Sequence, residues 1–328
     1  MASLSAIHIF PVKSCHYVQV EECKVHHLGL ENDRRFMLID ERTGRFISQR
    51  KYSSMILLRP VIDLDKETLS LTSDRQAPLV LPLHPDTSAL QKRSAQLWKN
   101  TLTVFDLGDE AAAWLSEFFQ LHRDHDIQNS HNPDDPVKDN DSLVKARLVY
   151  AEDPKKGVYQ NPAHVKLPGV HSPFTDWSPI SFGCEASLDA MNTDLVNQGI
   201  SQGAKIPLIR FRNNISISGT TPWEEENWLV VKIGEVTFYV IRPIARCTVP
   251  GVDQDTGIKD SWGGPTPYLV KHRQFAEKPN EGRFCVDVVP LTSGTIHVGD
   301  KVQVLERIPT EYQQQPVKAD QPNVPARR

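Results

Sequence analysis

Apolar residues in the first hundred positions come in short bursts. Alternation of apolar and polar side chains marks LSAIHIF (4–10), YVQVEECKV (17–25), RFMLID (35–40), LSLTS (69–73) and LTVFDL (102–107). Denser apolar runs mark ILLRPVIDLD (56–65) and LVLPL (79–83). A period of two is what a half-buried strand requires, because successive side chains point to opposite faces. Turn-forming stretches such as DERTGR and TSDRQAP separate the bursts. Many short strands with turn residues between them predict a small barrel or sandwich over residues 4–107.

The period changes at residue 109. DEAAAWLSEFFQL (109–121) puts Ala111, Trp114, Leu115 and Phe118 on one helical face, with Asp109 and Glu110 in the first turn, where the helix dipole favours negative charge. The next stretch, HRDHDIQNSHNPDDPVKDNDS (122–142), is almost without apolar residues and predicts a polar linker or insertion. It holds His122, His125 and His131 among aspartates, where a solvated loop outweighs a metal site.

A second unit is predicted from 143 to 308. It opens with ARLVYA and continues through a long loop rich in Pro, Gly and His. A helix follows within DWSPISFGCEASLDAMNTDLVNQG, burying Leu188, Met191 and Leu195 and stopped by Gly199. The strands NNISISG, FCVDVV, GTIHVG and KVQVLE and a hairpin WLVVKIGEVTFYVI turning at Gly234 complete it. Residues 309–328, rich in Pro and Gln, predict a disordered tail. The expected organisation is a β-barrel domain over 1–121, a linker over 122–142, a mixed β-barrel with flanking helices over 143–308, and the tail. The fold class is α+β and β-rich.

Composition narrows the function classes. At 328 residues the chain is long enough for two domains, and 39% hydrophobic with 24% charged residues is ordinary for a soluble globular protein. A net charge of -4 gives no polybasic footprint, so no nucleic acid polymer is expected as a partner. No apolar run approaches the ~20 residues that span a bilayer, so no transmembrane segment is expected. The N-terminus MASLSAIHIFPVKSC lacks the basic region that begins a secretory signal and does not read as a transit peptide. A cytoplasmic location is expected, with mitochondrial association as the alternative. Five cysteines, odd in number, widely spaced and without C-x-x-C, make neither a disulfide framework nor a zinc site; reduced thiols are expected.

One of those cysteines stands out. FYVIRPIARCTVPGVDQDTGIKD brings Cys247 to the end of a strand, beside Arg242 and Arg246 and before an irregular polar loop. Nearby cations favour a thiolate, and loops on a rigid β scaffold are where function concentrates. His272 and His297 are the nearest histidines in sequence, and nothing local marks either as a base. A thiolate ligand to a soft metal centre, with other ligands supplied by a cofactor, is the reading left open beside an ordinary buried thiol. Lys13 and Ser14 in PVKSC, Arg34 and Arg35 in NDRRFML, and Arg212 in FRNNISISG place basic and hydroxyl groups beside β runs, as an anion pocket requires.

IHIFPVKSC, DRRFMLID, SPISFGCEASL, FRNNISISG, WEEENW, IARCTVPGVDQDTG and GTIHVGDKV follow the order seen in MOSC-domain proteins with an N-terminal MOSC β-barrel. Over residues 4–306 the chain resembles that family, and within it the group of the mitochondrial amidoxime reducing component and its bacterial relatives. The resemblance implies a molybdenum cofactor, a pterin dithiolene with a phosphate tail, lying between the two domains. It implies Cys247 as the thiolate on molybdenum and the catalytic residue. It implies Lys13, Ser14, Arg35, Ser178, Arg212, Asn214 and Arg246 as cofactor contacts.

The implied activity is reduction of small N-hydroxylated substrates, such as amidoximes, hydroxylamines and N-hydroxylated bases, with the oxygen leaving as water. The implied electron donor is external: cytochrome b5 with its NADH-dependent reductase, or an iron–sulfur or flavin protein. The rival is a cofactor carrier or a sulfur-transferring, sulfurase-like MOSC protein. Pyridoxal phosphate attaches to the family only as a label, and no aminotransferase-like domain to hold it is read here. The chain departs from the family pattern at Trp177, Asn213, Ala245, Pro250 and Gly251. Asp253 and Asp255, six and eight residues past the cysteine, are read as shaping a turn, with proton delivery as the weaker reading.

Overall fold

The computed structural model describes residues 1–130, 134–151, 173–276 and 278–316. Most of the predicted Pro- and Gly-rich loop, His131 and the end of the tail lie outside the described residues. The expected α+β, β-rich class holds, with the short strands of the sequence pattern gathered into four sheets.

The largest sheet has eight strands. From edge to edge it runs Val302–Arg307, Trp228–Ile233, Val236–Ala245, Arg283–Pro290, Ile180–Cys184, Ile215–Ser218, Ser3–Ile9 and Val18–Val20. All neighbours pair antiparallel except Ile180–Cys184 with Ile215–Ser218. The apolar faces of these strands form one core around Trp228, Phe182 and Phe238. Val230 pairs with Tyr239 and Ile233 with Val236, so the predicted hairpin turns at Gly234 as expected.

A second sheet, Phe36–Asp40, Ala146–Tyr150, Asn100–Asp106 and Gln91–Leu97, and a third, Arg59–Asp63, Thr68–Ser73 and Gln76–Pro82, build the other unit. Helix Asp109–Leu121 buries Ala111, Leu115, Phe118 and Phe119 among Leu69, Leu79 and Leu148. Trp114, expected on the same face, sits at its margin, where its indole donates to the Ala77 carbonyl at 2.7 Å. A fourth sheet joins Gly294–His297 to Glu22–His26 and Gly29–Leu30.

Strand pairing crosses the sequence boundaries at 121 and 143. The first strand pairs with Ile215–Ser218, over 200 residues away in the chain, with Ser3 opposite Ser218 and Ile7 opposite Ile215. In exchange, Ala146–Tyr150 completes the sheet of the N-terminal unit, with Leu148 opposite Leu38. The units are therefore interlocked through their own strands. The period-two pattern identifies a strand, but it carries no information about its partner.

Two expectations are revised. Residues 122–142 are not wholly irregular: Arg123–Asn129 is a helix. What local composition hides is Asp126, 2% exposed, whose carboxylate accepts the Ser54 backbone N–H and hydroxyl, each at 2.8 Å. His122 is buried with Nδ1–H donating to the Phe118 carbonyl at 2.9 Å, and no group of three or more metal-ligating side chains occurs among the described residues. In the tail, residues 309–316 are placed: Ile308 N–H donates to Asn227 O at 2.9 Å, and a 3-10 turn follows at Thr310–Tyr312.

Burial pushes the Asp126 carboxyl up from 3.8 to about 7, against the hydrogen bonds from Ser53 and Ser54 that lower it. The folded protein therefore holds this proton to higher pH than the unfolded chain does. The group's contribution to stability is greatest at low pH and falls as pH rises from about 4 towards 7. Asp126→Asn, which keeps an acceptor for Ser54, is expected to flatten that slope. The loss of melting temperature between about pH 5 and about pH 8 should shrink relative to wild type, and calorimetry at both pH values measures it.

Candidate functional site

The end of strand Val236–Ala245, the turn after Ser3–Ile9 and the segment before Ile180–Cys184 meet around a cleft of about 940 Å³. Among the described residues its lining carries seven basic and two acidic side chains, so its field attracts anions. Lys13, Ser14, Ser178, Arg212, Asn214, Arg246 and Cys247 all line it. Arg35 does not. Its guanidinium reaches the Ala151 carbonyl and lies over the Tyr150 ring, 5.2 Å from the centroid. Its neighbour Arg34 lines the cleft instead.

The basic wall is organised by Phe10. Arg34 and Arg212 both lie over its ring, at 4.4 and 4.2 Å from the centroid. Arg34 pairs with buried Asp33 at 2.5 Å and donates to the Asn214 side-chain oxygen at 3.2 Å. Asn214 in turn donates to the His8 carbonyl at 3.1 Å, so its amide fixes Arg34 to the first strand. Arg212 is held by amides rather than by a carboxylate. It donates to Gln254 at 3.1 Å and, with the Gln49 amide oriented to satisfy both groups, to Gln49 at 3.2 and 3.3 Å. Burial and the neighbouring Arg34 lower its pKa to about 9. Its Nη2 has no hydrogen-bond partner.

Three residues of this wall, Ser14, Arg34 and Arg212, hold left-handed backbone at φ of 68, 48 and 53°. Such conformations cost roughly 1–3 kcal/mol each for residues with a Cβ and persist only where surrounding contacts fix them. Here the Arg34 N–H donates to Phe10 O at 2.7 Å and the Arg212 N–H to Ile209 O at 2.8 Å.

Lys13 lies deeper. Its ammonium donates to the Phe174 carbonyl at 2.9 Å and meets Asp176 at 2.5 Å. Burial lowers its pKa, Asp176 opposes that shift, and Arg34 and Arg212 add to it. Ser178 turns its hydroxyl to Ile180 O at 2.7 Å and Asp287 at 2.8 Å, which ties the segment carrying Trp177 to the large sheet. Arg242 pairs with Asp287 at 3.2 Å and stacks on Trp177 at 4.3 Å.

Cys247 also lines the cleft. It is exposed, whereas Cys15, Cys23, Cys184 and Cys285 are buried. Burial pushes the thiols of Cys15, Cys23 and Cys285 up to about 12 and that of Cys184 well above the ordinary value. Arg246 beside it is anchored by the carbonyls of Phe284 at 2.7 Å and Phe211 at 3.0 Å, and its Nη2 has no hydrogen-bond partner. The Cys247 carbonyl accepts the Thr266 hydroxyl at 2.6 Å. The departures at 250 and 251 fit this loop: a Cβ on Gly251 would meet Gly263 O at 3.2 Å and Gly264 Cα at 3.4 Å. Asn213, another departure, is buried and donates to Ser216 at 2.9 Å and Ile215 O at 3.1 Å.

Asp253 Oδ1 accepts the backbone N–H groups of Asp255 at 3.1 Å and Thr256 at 2.9 Å, the arrangement of a turn former. Asp255 is exposed, 3.4 Å from His16. Neither aspartate lines the cleft, nor does His272 or His297. Sequence reasoning missed Trp98, Asp176 and Arg210. Trp98 and Asp176 meet in the cleft lining, the indole donating to the carboxylate at 3.0 Å. Arg210 ties the turn before Arg212 to Asp260 at 3.0 Å and Asp253 at 3.2 Å. Only an exposed tryptophan in a hairpin turn could have signalled the first of these; the others carry no local mark.

Residues 1–122 match the family model of the MOSC N-terminal beta barrel domain, and residues 171–303 match that of the MOSC domain. The chain is 28% identical over 264 residues to mitochondrial amidoxime reducing component 2 of Rattus norvegicus, covering 79% of this chain and 69% of that protein. It is 27% identical over 318 residues to mitochondrial amidoxime-reducing component 1 of Homo sapiens, covering 93% and 83%. It is 29% identical over 261 residues to molybdenum cofactor sulfurase of Danio rerio, covering 78% of this chain but 29% of that protein. The chain thus spans less than a third of the length of that sulfurase. The strand Ala146–Tyr150, which falls between the two family matches, is the one that closes the N-terminal sheet. With both models matched in order over most of its length, the chain belongs to the MOSC proteins that pair an N-terminal MOSC β-barrel with a MOSC domain.

Proposed function

We propose that this protein is a molybdenum-cofactor-dependent reductase of small N-hydroxylated compounds. The reaction converts N–OH to N–H and water, with two electrons and two protons from outside. The observation that carries the reading is the pairing of the one exposed cysteine with a strongly basic cleft.

The residues present fit such a cofactor. Buried guanidinium nitrogens on Arg212 and Arg246 have no hydrogen-bond partner, and a buried donor left unpaired is costly unless a ligand accepts from it. A phosphate or a pterin carbonyl is such an acceptor, and the bidentate fork of arginine suits it. A thiolate suits molybdenum as a soft ligand. When bound, the group would supply a two-electron redox centre beside Cys247.

Cys247 would hold the metal, with Thr266 fixing its carbonyl and so the direction of its side chain. Lys13, Ser14, Arg212 and Arg246 would hold the anionic and pterin parts, and Arg34 supports the part that the resemblance gives to Arg35. Ser178 and Asn214 act by position: one fixes the Trp177 segment and the other fixes Arg34. Ile244, Val249 and Pro250 line the cleft around Cys247 and would keep water from the reacting N–O bond. Electrons would come from an external donor such as cytochrome b5 with its reductase, or an iron–sulfur or flavin protein.

The similarity to molybdenum cofactor sulfurase is as high as that to the amidoxime reducing components, which favours a second reading: cofactor carriage or sulfur transfer without reductive turnover. Protein made in a cofactor-synthesising host, mixed with a chemically reduced donor and an amidoxime, separates the two. A reductase oxidises the donor in proportion to amidoxime and yields the amidine. A carrier leaves the donor reduced and delivers cofactor to a molybdoenzyme lacking it.

A further inference from the structure

The basic wall of the cleft is met, in this structure, by a carboxylate of its own. Lys13 is 6% exposed, and a buried ammonium without a counter-ion is strongly disfavoured. Arg34, beside it, is neutralised by Asp33, and Arg212 has amides rather than a carboxylate for partners. Of the two acidic side chains in the lining, Asp287 is engaged by Arg242 and Ser178. Asp176 alone is placed on Lys13, at 2.5 Å, and it also accepts from Trp98 Nε1 at 3.0 Å.

The two partners are not equally committed to the contact. The Lys13 side chain is 8% exposed, whereas that of Asp176 is 54% exposed. An exposed carboxylate can turn into water, where solvation offsets the lost pair. The lysine cannot follow. Trp98 would register the exchange, because its indole N–H loses an acceptor when Asp176 leaves. Its backbone is held in the left-handed region, φ 55°, in the turn between Gln91–Leu97 and Asn100–Asp106.

We infer that Asp176 is a stand-in anion: it occupies Lys13 until a phosphate-class ligand displaces it from Lys13 and Trp98, so that loading of the cleft is an exchange of one anion for another. The inference rests on the proposed reading of the cleft as an anion site, and goes beyond it by assigning a gatekeeping role to Asp176. Retention of anions is then set by competition with this carboxylate as much as by the basic wall.

The test uses the full chain purified without cofactor, with inorganic phosphate as the probe. Titration calorimetry of Asp176→Asn is expected to show phosphate binding at least about tenfold tighter than wild type, the equivalent of one charge-assisted contact no longer competed for. Lys13→Met is expected to lose binding in either background. Removing any acidic side chain from the cleft strengthens anion binding somewhat, so displacement itself is read by emission. Phosphate should shift tryptophan emission in wild type, and Trp98→Phe should abolish that shift. Equal affinity in wild type and Asp176→Asn overturns the inference and leaves the anion site standing. So does a Trp98 signal that stays fixed at saturating phosphate. Absence of phosphate binding in both proteins overturns the anion reading of the cleft as well.

Discussion

Cys247→Ser is expected to abolish the proposed reductase turnover and to strip molybdenum from protein made in a cofactor-synthesising host, while the melting temperatures of the two cofactor-free proteins differ by no more than about 2 °C. The size of the first effect follows from chemistry: a serine hydroxyl is a harder and far weaker ligand for a soft metal than a thiolate. The smallness of the second follows from position. Cys247 is exposed at the cleft and contributes no core volume, and exposed substitutions shift stability by within about 0.5 kcal/mol.

The same variant can be followed without any turnover. Wild type should show a single fast-reacting thiol in the native state, because the other four cysteines are buried and their thiols are held protonated. Cys247→Ser should show none. Metal content and turnover that survive the substitution would remove Cys247 from the metal and return it to being an exposed thiol beside an arginine.

The second large effect lies one loop away. Gly264 has φ +73°, and a methyl there would fall on the Cα and N of Gly251. Gly251 is itself tied down, its N–H donating to Thr248 O at 3.0 Å and its carbonyl accepting Asp260 N–H at 2.8 Å. Gly264→Ala therefore combines left-handed strain of roughly 1–3 kcal/mol with overpacking of similar size. The expected drop in melting temperature is roughly 5–15 °C. The reactivity of the Cys247 thiol should change with it, because Thr266, two residues on, holds the Cys247 carbonyl. Gly199→Ala is the control. It has φ +69° at a helix end with open space around it, so it meets strain alone and should cost clearly less. Equal losses in the two variants would show that the Gly251–Gly264 contact adds nothing.

How much of this was legible beforehand depends on the range of each interaction. The hairpin at Gly234, helix Asp109–Leu121 and the Gly199 stop are local, and periodicity with turn chemistry was enough to find them. The helix at Arg123–Asn129 was not found, because what fixes it is Asp126 meeting Ser54, 72 residues away. The cleft shows the same division. Lys13, Ser14, Arg212, Arg246 and Cys247 sit where strands end, a feature visible in sequence. Arg34 and Arg35 are adjacent and chemically identical, and only the fold determines which of them faces the cleft. Asp176 and Trp98 belong to different parts of the chain, and no pattern in either segment announces their meeting.

The interlocking of the two units also dictates the order in which the molecule can be assembled on the ribosome. The first strand to emerge, Ser3–Ile9, has its lateral partners at Ile215–Ser218 and Val18–Val20, and Leu4 N–H donates to Asp300 O at 2.9 Å. Until some two hundred further residues have been synthesised, Leu4, Ile7 and Ile9 have no sheet core in which to bury, and closing so long a loop slows folding. A fragment ending at residue 122 carries the first family match yet lacks both the Ile215–Ser218 partner of its first strand and the strand Ala146–Tyr150 that closes its own sheet. The nascent chain thus carries an apolar strand with only its short Val18–Val20 neighbour for most of its synthesis, the kind of exposed surface that invites aggregation before folding is complete.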